Sequence, residues 1–132
     1  MYSRWIVVAA VLGLTGVAAG ALGAHGLRTR LDPDALRAFE TAVRYQMYHA
    51  LALLAVAWVM KENPSIRASA SAVCMLLGVV LFSGSLYGLV LQGWRWLGPV
   101  TPVGGVVLMA GWFLLALAVR SRAPSSATAP DS

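Results

Sequence analysis

Charge is what this sequence lacks. Only 11% of its 132 residues are charged, against 59% hydrophobic. A soluble domain usually carries about 25% charged residues to cover its surface. This chain has too few polar groups to meet water on every side. That excludes an ordinary soluble enzyme domain, and the high hydrophobicity excludes a disordered chain. Cysteine is nearly absent as well. The single Cys74 cannot close an internal disulfide, so a disulfide scaffold is excluded too. The composition is that of an integral membrane protein.

Acidic residues are the scarcer charge: ten Lys and Arg face five Asp and Glu, a formal +5. In a soluble protein such a balance would point to nucleic acid. Here the basic residues sit between or beside long apolar runs and form no patch with interleaved aromatics. They read as membrane-flanking charge. The expected partner is therefore the lipid bilayer, with no nucleic acid.

A helix needs about 20 apolar residues to cross a bilayer core. Trp5 to Ala24 is an uncharged run of 20 residues, Ala68 to Leu91 gives 24, and Leu97 to Val119 gives 23. Tyr45 to Met60 gives only 16. Upstream of it, Asp32-Pro33-Asp34 has the form of a helix start, with an Asp cap, Pro in the first turn and an acid near the positive end of the helix dipole. The spacing thus predicts one long helix from about Pro33 to Met60. Its second half would enter the membrane and its first half would lie at the surface. Leu36, Phe39, Val43, Met47 and Ala50 recur at three- and four-residue steps and form its expected apolar stripe. Glu62-Asn63-Pro64-Ser65 would end this helix, and Trp94, Arg95 and Trp96 would anchor the last connection at the interface. Residues 1–119 are expected to form a four-helix transmembrane domain, all-α, with an amphipathic half-helix after the first span. Residues 120–132, rich in Ser and Pro, are expected to be a disordered polar tail.

A competing reading takes the first run as a cleaved signal peptide, with Arg4 as its basic start and Ala19-Gly20-Ala21 as a cleavage pattern. The run is longer than such a segment usually is. If all four helices span, Arg4, Lys61, Arg67, Arg120 and Arg122 share one side, and Arg28, Arg30, Arg37, Arg44 and Arg95 share the other. Arg37 and Arg44 would be held by Glu40, which leaves both termini in the cytoplasm by the positive-inside tendency.

Three groups of residues stand out within this frame. Gly13, Gly16, Gly20 and Gly23 step by three and four along the first helix. Gly84 and Gly88 do so on the third, and Gly104, Gly105 and Gly111 lie on the fourth. Small seams let membrane helices approach closely, so these glycines are expected to pack the bundle. The alternative is an interface with a second copy or a membrane-protein partner. His25 and His49 are expected near one membrane face. Each would hydrogen-bond a neighbour, while the alternatives are haem ligation by the pair or proton exchange with a quinone. No carboxylate or thiol completes a metal set, so no cofactor is expected in the leading reading. Glu40 and Arg44 stand four apart, acid first, the favourable order for a helical ion pair. With Tyr45, Tyr48, His49 and His25 they would make one polar cluster. That cluster is either a structural clasp or a headgroup, quinone or anion site. No Ser/His/Asp triad is legible.

Several motifs occur together and in order. They are Gly20-Ala21-Leu22-Gly23-Ala24-His25-Gly26-Leu27, then Phe39 to Ala50 (Phe-Glu-Thr-Ala-Val-Arg-Tyr-Gln-Met-Tyr-His-Ala), Leu81 to Tyr87 (Leu-Phe-Ser-Gly-Ser-Leu-Tyr), and Gly98 to Gly105 (Gly-Pro-Val-Thr-Pro-Val-Gly-Gly). Over residues 1 to about 119 the chain resembles the small membrane-protein family catalogued as domain of unknown function 423, related to transmembrane protein 256 of animals. The resemblance implies a four-helix protein of the bacterial inner membrane or of mitochondria. It carries over no catalytic or binding residues. It also argues against signal cleavage, because the first motif straddles the end of the first helix. The leading expectation is a non-enzymatic protein that supports membrane organisation or a larger complex through helix packing. The alternative is a redox or lipid-site protein using His25, His49, Arg44 and Glu40. A transporter is a weaker third, because only one ionisable cluster exists.

Overall fold

The structure is a computed structural model that describes residues 1–121, and among these residues it is all-helical. Helix α1 spans Tyr2–Ala21 and continues into a π-helical turn, Leu22–Gly26. Helices α2, α3 and α4 span Pro33–Glu62, Ile66–Gln92 and Val100–Arg120, with a short 3-10 turn at Arg95–Leu97 before α4. The expected tail lies almost wholly outside the described residues; of it only Arg120, the end of α4, and Ser121 are described.

Local chemistry sets the boundaries. The Asp32 carboxylate accepts from the amides of Asp34 and Ala35, both at 3.0 Å, and satisfies two of the donors a helix start leaves open. Pro33 occupies the first turn, where its missing N–H costs nothing. Ser65 caps α3 through the Ala68 amide at 3.2 Å. Gly93 stops α3 in the left-handed region, φ 68°, which a side chain would disfavour. These stops leave connections of only a few residues, so successive helices run antiparallel side by side.

Three segments, Tyr2–Gly26, Ile66–Gln92 and Arg95–Arg120, are long and apolar enough to cross a membrane, with mean hydropathies of 2.2, 2.2 and 2.1. Helix α2 is not among them, yet it is the best buried of the four. It packs against α1 on one side and α3 on another, and touches α4. The core gathers on it: Leu53 and Val56 meet Ala9 of α1, Ala68, Ala72 and Met75 of α3, and Ala118 of α4.

The buried stripe of α2 differs from the expected one. Phe39 and Ala50 of the expected stripe are buried, but the line of buried positions that runs the length of the helix at three–four spacing is Phe39, Ala42, Gln46, His49, Leu53, Val56 and Met60. Val43 and Met47 sit at the edge of this stripe, against the glycines of α1. The reason is that Gln46 and His49 find partners on other helices, so polar residues hold core positions that apolar counting assigns elsewhere. Nor does the first half of α2 lie apart from the bundle. It belongs to the same unbroken helix as the second half, with Phe39 against Tyr87 of α3 at a ring separation of 5.3 Å.

The glycine seams are partly as expected. Gly16, Gly20 and Gly23 face Met47, Val43 and Phe39 of α2, while Gly13 faces open space. At about 100° per residue Gly13 points roughly 50° away from the mean of the other three. Gly88 packs on Trp94 and Leu97, whereas Gly84 is on the outer side of α3 with nothing near it. Gly104 makes the closest approach to backbone. A Cβ there would lie 2.8 Å from the Leu81 carbonyl carbon and the Phe82 Cα, and backbone cannot move aside. Gly105 beside it is looser, and Gly111 packs on Met75.

These contacts order three substitutions. Gly104→Ala should destabilise the detergent-solubilised protein by about 1–3 kcal/mol, as overpacking does. Gly13→Ala and Gly84→Ala should be neutral or stabilise by up to about 1 kcal/mol, since Ala is the better helix former. Thermal unfolding followed by circular dichroism checks this, and equal losses at all three would contradict the assigned seams.

Candidate functional site

The least apolar helix is buried because its polar groups are bonded. A Gln amide offers two donors and one acceptor oxygen. Gln46 uses all of them: Nε2 donates to the Leu12 carbonyl at 2.9 Å and to Thr15 Oγ1 at 2.8 Å. Its Oε1 accepts from the Tyr87 hydroxyl at 2.7 Å. One side chain thereby ties α1, α2 and α3 together. Beside it, Gly16 leaves room for Met47: a Cβ there would come within 3.2 Å of Met47 Cγ.

One helical turn on, His49 does the same toward α4. Trp112 Nε1 donates to His49 Nε2 at 3.0 Å, and an indole N–H can only donate. Nε2 is therefore the acceptor, and the ring proton sits on Nδ1, which donates to the Tyr45 carbonyl at 2.7 Å. Both ring nitrogens of this 4%-exposed histidine are engaged in the neutral form. Hydroxyls complete the pattern. Ser83 donates to the Ala42 carbonyl and Ser71 to the Gly111 carbonyl, each at 2.7 Å, and Ser85 bonds Thr101 at 2.6 Å. No buried side-chain nitrogen or oxygen among the described residues lacks a partner.

The residues singled out in the sequence are distributed differently. Tyr45 and His49 do come together: their rings lie 6.1 Å apart, and Tyr45 packs on Phe82 at 4.5 Å. Tyr48 touches Tyr45 but is 54% exposed. Glu40 and Arg44 are exposed and form no ion pair; the one ion pair among the described residues is Arg37 with Asp34, in the first turn of α2. Both line a shallow recess of about 240 Å³ with Gly20, Gly23, Phe39 and Val43. His25 stands exposed on the π-helical turn. The antiparallel register sets Gly23 against Phe39 and Gly16 against Gln46. His49 is thus level with Gly13, twelve residues from His25, or roughly 18 Å along the axis. The two histidines do not meet as an axial pair. Among the described residues no three His, Cys, Asp or Glu side chains converge.

Gln46, Tyr87, Thr15 and Trp112 are the interhelical bonding residues that sequence reasoning missed. One signal was available. Gln46 and His49 continue the three–four stripe that Leu53, Val56 and Met60 define, which places them on the core face. Their partners on other helices carry no such mark.

The chain matches the family described as "Protein of unknown function (DUF423)" over residues 19–105. It is 42% identical over 111 residues to a UPF0382 membrane protein of Staphylococcus haemolyticus, covering 84% of this chain and 90% of the relative. It is 44% identical over 116 residues to the UPF0382 inner membrane protein YgdD of Escherichia coli, covering 87% and 88%. A UPF0382 membrane protein of Haemophilus influenzae is 39% identical over 117 residues, covering 88% and 93%. No solved structure matches the chain.

The bonding pattern predicts a contrast between two pairs. Gln46→Leu and Tyr87→Phe should each destabilise, and a double-mutant cycle should give a coupling of about 0.5–2 kcal/mol, the range for hydrogen bonds within membranes. Glu40→Gln and Arg44→Gln should show coupling below about 0.5 kcal/mol, as separated surface charges do. Reversible unfolding in mixed micelles measures both, and a stronger Glu40–Arg44 coupling would contradict the assignment.

Proposed function

We propose that this chain, which belongs to the DUF423 family of membrane proteins, is a non-catalytic packing element of the bacterial inner membrane that stabilises a larger membrane assembly. The observation that carries this reading is the engagement of both core polar side chains of α2, Gln46 and His49, in bonds to other helices. Groups held in this way fix a bundle and are not free to bind or transfer protons. The outer surface supports the same reading. Val7, Val11, Leu14 and Val17 of α1 and Val103, Val106, Met109 and Phe113 of α4 are exposed apolar stripes. Such surfaces face hydrocarbon or another apolar helix.

On this reading α2 is the fourth span. Its 30 residues measure about 45 Å, more than a bilayer core. Tyr48, Leu51, Leu54 and Trp58 make its exposed side apolar over the same depth as its neighbours. Both termini then face the cytoplasm, with Arg4, Lys61, Arg67 and Arg120 on that side.

Two measurements test this. Reporters fused after Arg120 and within Lys61–Arg67 should both report the cytoplasm, and one near Thr29 the periplasm. A tail and a Lys61–Arg67 loop on opposite sides would refute the four-span reading. After gentle solubilisation, native electrophoresis should find the protein in a particle larger than its monomer in the same detergent. A monomer under every mild condition would refute the packing role.

A further inference from the structure

One end of the bundle, where α1 begins and α2 turns into α3, is incompletely filled. In the first turn of α3 the side chain that faces α1 is Ser69, too small to close the gap. Two adjoining recesses result, both bordered by Met1 and Ser69. One, of about 570 Å³, lies at the α2–α3 turn beside Lys61. The other, of about 400 Å³, runs between α1 and α3 with Arg4 at its rim and Trp5, Val8, Val73 and Leu76 as its walls.

The charge around the two recesses is one-sided: Glu62, at the end of α2 beside Lys61, lines a different recess with Trp58 and Val119. No acidic side chain lines either recess. Arg4 and Lys61 are exposed, and the one ion pair among the described residues, Arg37 with Asp34, lies at the opposite end of α2. Arg4 opens a segment apolar enough to cross the membrane, so its guanidinium stands where lipid headgroups are. The second recess leads from there toward the hydrocarbon, and its walls are apolar. A free basic rim above an apolar slot complements a molecule with an anionic head and a hydrocarbon chain.

We infer that these recesses bind one anionic phospholipid, its phosphate between Arg4 and Lys61 and one acyl chain between α1 and α3. The phosphate accepts hydrogen bonds from the guanidinium and the ammonium, and the chain fills the slot against Trp5 and Val73. A zwitterionic head would bring its own ammonium against the same cations and lose most of the attraction. Each basic residue near an anionic headgroup contributes about five-fold in affinity.

Native mass spectrometry of the full chain in detergent tests this, with phosphatidylglycerol and phosphatidylcholine of identical chains added in equal amounts. The wild type should retain phosphatidylglycerol with a preference of about ten-fold or more, as two such cations require. R4Q and K61Q should each lower that preference several-fold. R67Q removes an equal charge from the same end but outside both recesses, and should leave the preference unchanged. V73W, which blocks the slot from its exposed side, should reduce retention of both lipids. Equal retention of the two lipids by the wild type would overturn the inference. So would an R67Q loss as large as that of R4Q, which would mean a diffuse field without a site. Unchanged lipid retention in V73W would overturn the chain seat.

Discussion

The fold depends on pairing the polar groups of α2 inside the bundle. In the four-span arrangement proposed above, hydrocarbon offers no hydrogen bonds, so an amide or imidazole facing it carries a penalty of several kcal/mol unless it is paired. Gln46 and His49 remove that penalty only if α1, α3 and α4 are all in place. Leu12 and Thr15 come from α1, Tyr87 from α3 and Trp112 from α4. The hydrophobic effect does not draw apolar helices together inside a bilayer, since lipid tails are as apolar as leucine. Directional bonds and close packing must supply the specificity, and α2 supplies the bonds.

Glycine supplies the packing, and the two devices are linked. Gly16 seats Met47, the neighbour of Gln46, against α1, and Gly104 lets α4 lie directly on the Leu81–Phe82 backbone of α3. With α4 that close, Gly111 packs on Met75 and its carbonyl accepts from Ser71, and Trp112, the next residue, reaches His49. A tight seam thus sets the distance at which the next hydrogen bond forms. Apolar side chains fill the remainder, Leu53 and Val56 in the middle and Phe39 toward the α1–α2 turn.

Much of this was legible in the sequence, for physical reasons. Uncharged runs mark helices long enough to span, and Asp32 with Pro33 marks the start of α2. Each is a local property of a few residues. The pairing of Gln46 with Tyr87 and of His49 with Trp112 was not legible, because those residues lie 41 and 63 positions apart and only the register between helices brings them together. The expected Glu40–Arg44 clasp failed for a related reason. Correct spacing on one helix permits an ion pair but does not bury it, and exposed charges gain little by meeting. The two histidines looked close in depth because His25 ends the first apolar run and His49 lies about one turn into the second, whereas the seam of Gly16, Gly20 and Gly23 fixes a register that separates them.

The central claim is that the most polar of the four helices is the one most firmly enclosed. Amide hydrogen exchange on the protein in lipid nanodiscs measures this directly. The account predicts that amides from Gln46 to Val56 exchange slowest in the chain, and that Gln46→Leu speeds them by more than it speeds the amides of α4 beyond Trp112. Exchange in that stretch as fast as in the first turns of α1, or unchanged by Gln46→Leu, would contradict it.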